Sequence, residues 1–325
     1  MLRSKKSVTL MLCLLIVALF TAACGNNGEK APKPKESAKP QDTTQSIKHA
    51  MGETKITGTP QRVVVLTTQG TETLLELGIK PVGAVKSWIG NPWYDHIKDR
   101  MDGVQVVGDE TQPNMELIAS LKPDLILGTK VRQEKIYDQL SAIAPTVFSE
   151  NLGDSMFENF DLFAKALGKE AEGKAAMDKF NQLLKDTKSR LGDKLAFRVS
   201  LARFQPGKVR VYYKQNFAGV VLDKLGFARP DAQNKKEFSQ DITKEQLPVL
   251  DGDVMFYFTS DRDGETAATE TAKSWLKDPL AQNMSIVKNN RTFNVNEAIW
   301  NSAGGILAAK LLVQDIEKLF KDLKL

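Results

Sequence analysis

The chain holds few of the side chains that usually do chemistry at a metal or as a nucleophile. Its 325 residues include two histidines, His49 and His96, and two cysteines, Cys13 and Cys24. So few imidazoles and thiols argue against a His/Cys zinc site, a disulfide framework or a Cys–His catalytic pair. His49 lies beside a polar N-terminal stretch and His96 beside Trp93-Tyr94; neither has a partner signature, and both are expected at the surface or in packing. There is no Gly-x-x-x-x-Gly-Lys-Ser/Thr loop, no Gly-x-Gly-x-x-Gly turn and no Gly-x-Ser-x-Gly elbow. Carboxylates are plentiful, yet no pair stands at a spacing diagnostic of acid–base work. The expectation is a protein that is not an enzyme. The chemistry that remains is cationic and aromatic. Arginine offers rigid forks of N–H donors that suit carboxylate-like oxygens, and aromatic rings offer apolar walls.

Such groups make a site when they gather at the carboxyl ends of strands in an α/β fold. Apolar runs predict strands at Arg62–Thr67, Pro81–Val85, Val104–Val107, Asp124–Leu127 and Thr146–Phe148. Helices are predicted at Gly70–Leu77, Asn114–Leu121 and Gln133–Ile143. Phe157–Leu191 has no proline and repeats apolar residues at helical spacing, so one or two long helices are expected there, with a break near Gly168. Alternation then resumes. Strands are predicted at Phe197–Leu201, Val209–Tyr213, Val254–Phe258 and Thr292–Val295, and helices at Phe217–Leu225, Lys244–Leu250, Thr269–Leu276 and Ala303–Leu323. The fold class is therefore α/β: two Rossmann-like lobes with central, mainly parallel sheets, residues 49–155 and 193–325, joined by a helical segment over 156–192.

On these elements the candidate site residues take their places. Lys86 and Trp88 follow the second strand, and Lys130 and Arg132 the fourth. Arg203 follows Phe197–Leu201. Arg210 and Tyr212 share one face of the next strand by period-two alternation. Trp300 follows the last strand, just before a helix. Each has a plainer alternative. Trp88 caps a core edge, Lys130 is solvated, Arg132 pairs with Glu134 or Asp138, Arg203 and Arg210 form surface salt bridges, Tyr212 is core, or Trp300 packs at a hinge. Trp93, Tyr94 and Trp275 are read as packing or rim.

The N-terminus reads as a secretion signal. Arg3, Lys5 and Lys6 precede an apolar stretch from Val8 to Phe20, which is short of the roughly 20 residues that span a membrane. Thr21-Ala22-Ala23-Cys24 closes it with small residues of the cleavage-site type. The tetrapeptide resembles a bacterial lipobox, with Thr21 where leucine is usual. Cys24 would then be the diacylated first residue and the only thiol of the mature chain. The alternative is an ordinary signal peptide. Residues 24–48, rich in Lys, Pro, Ser, Thr and Gln, are expected to be a disordered tether. The formal net charge of +5, part of which leaves with the leader, gives no support to nucleic-acid binding.

The lobes echo each other. Asn114-Met-Glu-Leu-Ile-Ala-Ser-Leu-Lys-Pro-Asp124 and Thr243-Lys-Glu-Gln-Leu-Pro-Val-Leu-Asp-Gly-Asp253 both run helix, turn, strand. Each puts an acid, Glu116 or Glu245, third in its unit. By themselves these read as exposed capping carboxylates in helix first turns.

The ordered set of Arg62–Thr67, Glu72-Thr-Leu-Leu-Glu-Leu-Gly78, Pro81-Val-Gly83, the Asn114–Asp124 unit, the long helix, Phe217-Ala-Gly, Asp278-Pro279-Leu280 and Gly304-Gly305 resembles a known family. It is similar to the cluster-A-type-III solute-binding lipoproteins of bacterial ABC importers, which carry ferric siderophores and vitamin B12. Val85-Lys-Ser-Trp88, Asn91-Pro-Trp-Tyr94 and Ile299-Trp-Asn-Ser-Ala-Gly304 are most like Bacillus-type lipoproteins for citrate-hydroxamate siderophores such as schizokinen and arthrobactin. The resemblance implies a monomeric carrier on the extracytoplasmic face of a Gram-positive cell membrane. Its partners would be a ferric siderophore, ABC permease subunits and their ATPase. There would be no resident cofactor or metal, since iron arrives already chelated. Lys86, Trp88, Arg132, Arg203, Arg210, Tyr212 and Trp300 would line the ligand cleft. Glu116 and Glu245 match the acids that dock on the permease. A haem or cobalamin carrier of the same fold, and a secreted hydrolase, are the alternative readings.

Overall fold

The computed structural model describes residues 44–262, 264–321 and 323. The leader, Cys24 and the tether up to residue 43 lie outside the described residues. Residues 44–48, expected as the end of the tether, belong to a strand instead. Strand β1 (Thr44–His49) pairs antiparallel with β2 (Gly52–Thr57). Ile47 and Ile56, one apolar residue per strand, are buried, and the Thr54 hydroxyl donates to the Thr146 carbonyl at 2.8 Å. One buried residue per strand makes too weak a period to stand out from a polar tract.

The first lobe runs β3 (Val63–Val65), α1 (Thr68–Glu76), β4 (Gly83–Ala84), β5 (Gln105–Val106), the small hairpin β6 (Gly108–Asp109) and β7 (Gln112–Pro113), α2 (Met115–Ser120), β8 (Leu125–Thr129), α3 (Lys130–Gln133), α4 (Tyr137–Ile143) and β9 (Thr146–Ser149). Its sheet has the order β5-β4-β3-β8-β9, all parallel. Val63, Val64, Val65, Leu125, Ile126 and Leu127 have no solvent exposure, as expected for strands covered on both faces. The helix predicted over Gln133–Ile143 begins earlier and is broken by a 3₁₀ turn, Glu134–Ile136.

Helices α5 (Met156–Ala166) and α6 (Glu170–Leu191) follow, separated at Gly168 as predicted. The second lobe comprises β10 (Val199–Gln205), β11 (Lys208–Tyr212), α7 (Phe217–Leu225), β12 (Ser239–Ile242), β13 (Val254–Thr259), α8 (Ala267–Leu276), α9 (Pro279–Gln282), α10 (Ser285–Lys288), β14 (Thr292–Asn294) and α11 (Ile306–Lys321). Its sheet order is β12-β11-β10-β13-β14. Here β10, β13 and β14 are parallel, whereas β11 and β12 are antiparallel additions. Gly207 in the left-handed region (φ +73) closes the β10–β11 hairpin after Pro206. Strand β12 escapes sequence reading because only Ile242 of its four residues is buried. Among the described residues no helix is long and apolar enough to cross a membrane.

The lobes meet where α1 packs on α11. The Glu72 side chain is fully buried in this seam. One carboxylate oxygen accepts the Ala308 N–H of the first turn of α11 at 2.9 Å, and the other meets His96 Nε2 at 2.5 Å. A helix N-terminus favours an anion at this position. Gly305 makes room for it: a Cβ there would fall 2.5 Å from Glu72 Oε2. Alongside, Gln69 donates to the Gly304 carbonyl at 3.0 Å and Thr68 to the Ser302 carbonyl at 3.2 Å. His96, expected as a surface or packing residue, is thus a partner within the seam. Replacing Glu72 with alanine leaves the buried Ala308 N–H and the partly buried His96 imidazole without this partner. We expect Glu72→Ala to cost about 2–4 kcal/mol, read as a lowered thermal midpoint. An unchanged midpoint would show that the seam holds without it.

Candidate functional site

Between the lobes lies a cleft of about 450 Å³. The first lobe lines it with the segments that follow β3, β4, β8 and β9. The second lobe contributes the end of β10, the face of β11 and the segments after β13 and β14. Past Trp88, Ile89, Glu110 and Arg262 it continues into a second hollow of about 460 Å³ beside residues 86–92.

Four arginines line the main cleft, Arg132, Arg203, Arg210 and Arg262. Arg132 stands on α3. Its partner is neither Glu134 nor Asp138 but Glu110, whose Oε2 lies 3.7 Å from Arg132 Nε. The guanidinium also lies 5.9 Å from the Trp88 ring centroid. Glu110 is buried and accepts the Thr68 N–H at 2.7 Å and the Thr68 hydroxyl at 3.0 Å. Burial pushes its carboxyl above the ordinary range, while Thr68 and Arg132 oppose that shift.

Arg203 is not on a loop after its strand. It lies within β10, directly opposite Arg210 of β11 in the antiparallel ladder. Like charges opposed in this way destabilise a sheet, and each has its own anion. Arg210 faces Asp241 on β12 and binds it through two nitrogens, at 2.6 and 3.2 Å. The Arg210 and Lys208 bonds hold the Asp241 carboxyl down at about 2. Arg203 Nη2 lies 2.8 Å from Glu297 Oε1, which also accepts the Asn301 amide at 3.0 Å. Burial pushes the Glu297 carboxyl up to about 7 against the pull of Arg203.

Tyr212 belongs to core and cleft at once. Its ring stacks on Phe258 at 5.7 Å and meets the edge of Phe238 at 5.6 Å, and it is only 2% exposed. Burial raises its phenol above the ordinary value. Trp88 lines both hollows, 39% exposed. Lys86 lines only the second hollow and pairs with Asp109 at 3.1 Å, while Lys130 pairs with Glu150 at 3.0 Å.

Trp300 is corrected. It has no exposure and packs 4.6 Å from the Phe256 ring, and its indole N–H donates to Asp315 at 3.1 Å. It is core, because the chain makes a π-helical turn at Ala298–Ser302 that leaves Asn301 and Ser302 to line the cleft instead.

Glu116 and Glu245 are exposed, in the first turns of α2 and of the 3₁₀ turn Lys244–Leu250. Neither is the cap, which is Asn114 in one unit and Thr243 in the other. The echo between lobes extends to the acids that open the strands. Asp124 accepts the Arg62 N–H at 2.9 Å, and Asp253 accepts the Arg198 N–H at 2.8 Å.

Sequence reasoning missed Glu110, Phe238, Arg262 and Glu297. Arg262 follows β13, so the strand-end rule that selected Arg132 would have found it. The two acids are single carboxylates with no local signal, joined to their arginines only by folding. Among the described residues no group of three or more His, Cys, Asp or Glu side chains converges as a metal-ligand set.

Residues 63–298 match the family described as Periplasmic binding protein, and the chain belongs to it. The chain is 46% identical over 325 residues to the probable siderophore-binding lipoprotein YfiY of Bacillus subtilis (strain 168), covering 97% of this chain and 98% of that one. It is 30% identical over 329 residues to the Fe(3+)-citrate-binding protein YfmC of the same organism, covering 97% of each. The crystal structure of Staphylococcus aureus SirA complexed with staphyloferrin B superposes with a TM-score of 0.80 at 36% identity, over 86% of this chain and 99% of that chain.

Proposed function

We propose that this chain is the extracytoplasmic solute-binding lipoprotein of an ABC importer, and that its ligand is a ferric siderophore of the citrate–hydroxamate class. The observation that carries this reading is the convergence of four arginines from both lobes on one cleft with Trp88, Tyr212 and Phe238 along its walls. A ferric complex of carboxylate and hydroxamate groups is compact, polar and anionic. Planar N–H forks bind such oxygens with direction as well as charge, and the rings cover the organic shell. The relatives named for a siderophore and for ferric citrate support the ligand class. The protein acts as a carrier rather than an enzyme, a reading supported by relatives that are named as binding proteins. It works as a monomer that hands its cargo to a permease driven by an ATPase.

Losing a charged hydrogen bond to a buried acceptor costs about 2–5 kcal/mol. Arg132→Ala and Arg203→Ala are each expected to weaken ferric-siderophore binding at least about tenfold, which is roughly 1.4 kcal/mol, measured by tryptophan quenching. Unchanged affinity in both folded variants would overturn the assignment. A Soret shift with haem in place of quenching by ferric chelates would point to a haem carrier.

The anchor is Cys24. Cys24→Ala should move the protein from the membrane fraction to the medium with ligand affinity intact, and retention in the membrane would refute lipidation.

Delivery runs through Glu116 and Glu245, which meet basic residues of a two-fold permease. Exposed rim charges govern encounter and register more than affinity. The double change Glu116→Ala, Glu245→Ala should keep binding within about threefold, under about 1 kcal/mol, while uptake of labelled ferric siderophore by cells falls sharply. Normal uptake would leave the two acids as surface charges only.

A further inference from the structure

The second-lobe wall of the cleft carries an unusual concentration of unsatisfied polar atoms. Among the described residues, six buried side-chain nitrogen and oxygen atoms have no hydrogen-bond partner. Two are on Arg229. The other four are Arg203 Nε, Gln205 Oε1, Glu297 Oε2 and Ser302 Oγ, and Arg203, Gln205 and Ser302 line the cleft itself. Glu297 stands behind them at the start of the π-helical turn Ala298–Ser302.

Three facts describe the Glu297 carboxylate. Its side chain is only 6% exposed. One oxygen is engaged, by Arg203 and Asn301, and the other is buried without a partner. The charged and titratable groups facing it are Arg203 and Tyr212 on the sheet, with Arg210 one strand further away and already matched by Asp241. Among the described residues Arg203 is the cation paired with it, and the same residue lines the ligand cleft. An anion that settles on Arg203 brings negative charge toward a buried carboxylate and draws on the cation paired with it. Both effects disfavour the ionised carboxyl.

We propose, resting on the ferric-siderophore reading above, that Glu297 is a positioning residue for Arg203 and takes up one proton from solvent when an anionic ligand occupies that guanidinium. In the free protein the ionised carboxylate holds the fork in place toward the cleft. In the complex the ligand oxygens take over that task, and the neutral carboxyl removes a repulsion that would otherwise oppose binding. The free carboxyl titrates at about 7, so the exchange falls within the neutral range.

The direction follows from linkage. With the carboxyl pKa higher in the complex than in the free protein, affinity is greatest below the free value. It declines as pH rises through the window between the two, and levels off above the bound value. Ferric schizokinen, titrated by tryptophan quenching, should bind about three- to tenfold more weakly at about pH 8 than at about pH 6.5. Glu297→Gln keeps an acceptor for Arg203 and carries no charge. It should bind at least as tightly as the wild type at the lower pH and lose that slope. Calorimetry of the wild-type protein in buffers of different ionisation heat should show net proton uptake near neutral pH, which Glu297→Gln abolishes. A slope that survives in Glu297→Gln belongs to the chelate or to Glu110 across the cleft, and overturns the proposal. Zero proton uptake by the wild type overturns it as well, without any variant that might misfold. Failure of the wild-type protein to bind the chelate at every pH would instead remove the functional reading on which the proposal rests.

Discussion

The buried carboxylate of Glu72 is the contact on which the geometry of the cleft depends. It joins the first helix of one lobe to the N-terminal turn of the last helix of the other, where the helix dipole and the Ala308 N–H favour an anion. Thr68 and Gln69, on the same helix, bond to the carbonyls of Ser302 and Gly304, and all four residues line the cleft. Part of the cleft lining and the seam between lobes are thus one structure. A buried charge without its partners is costly, so the seam tolerates little sliding, and the distance between the arginines of the two lobes is set there.

Outward from the seam, both lobes use one device to present a cation. A carboxylate stands beside three of the four cleft arginines: Glu110 by Arg132, Glu297 by Arg203 and Asp241 by Arg210. The three anions differ in environment. Asp241 is half-exposed and carries two basic partners, so it stays ionised far into acid. Glu110 and Glu297 are buried, and burial pushes both carboxyls upward. Half-exposed pairs hold a side chain in place at small energetic effect, whereas a buried carboxylate can change its protonation when its counter-ion is claimed. The cleft combines fixed cations with two buried carboxylates that burial pushes upward.

Much of the fold was legible because strands covered on both faces demand unbroken apolar runs. Val63–Val65 and Leu125–Leu127 could be little else. Helix α7 was delimited by Asn216 and Gly226, a cap and a stop. Among the elements missed, β1, β2 and β12 each bury a single side chain, Ile47, Ile56 and Ile242, and their identity comes from the strand beside them. Arg203 was misplaced by assuming a parallel unit at a point where Pro206-Gly207 turns the chain back. Trp300 was misplaced because proximity to a strand end does not fix the direction of a side chain, and a π-helical turn directs this one inward.

The sequence by itself determined the α/β class, the two lobes with a helical segment between them and the scarcity of metal ligands and nucleophiles, and it offered Lys86, Arg132, Arg203 and Arg210 as candidate cations. These rest on composition and on periodicity over a few residues, which the chain carries locally. Only the tertiary structure decided which carboxylates Arg132, Arg203 and Arg210 meet, that Arg203 and Arg210 oppose each other across one ladder, and that Glu72 closes the seam. Glu72 and Ala308 are 236 residues apart in the chain. Such pairings are fixed by strand register and lobe packing, and no local pattern of residues encodes them.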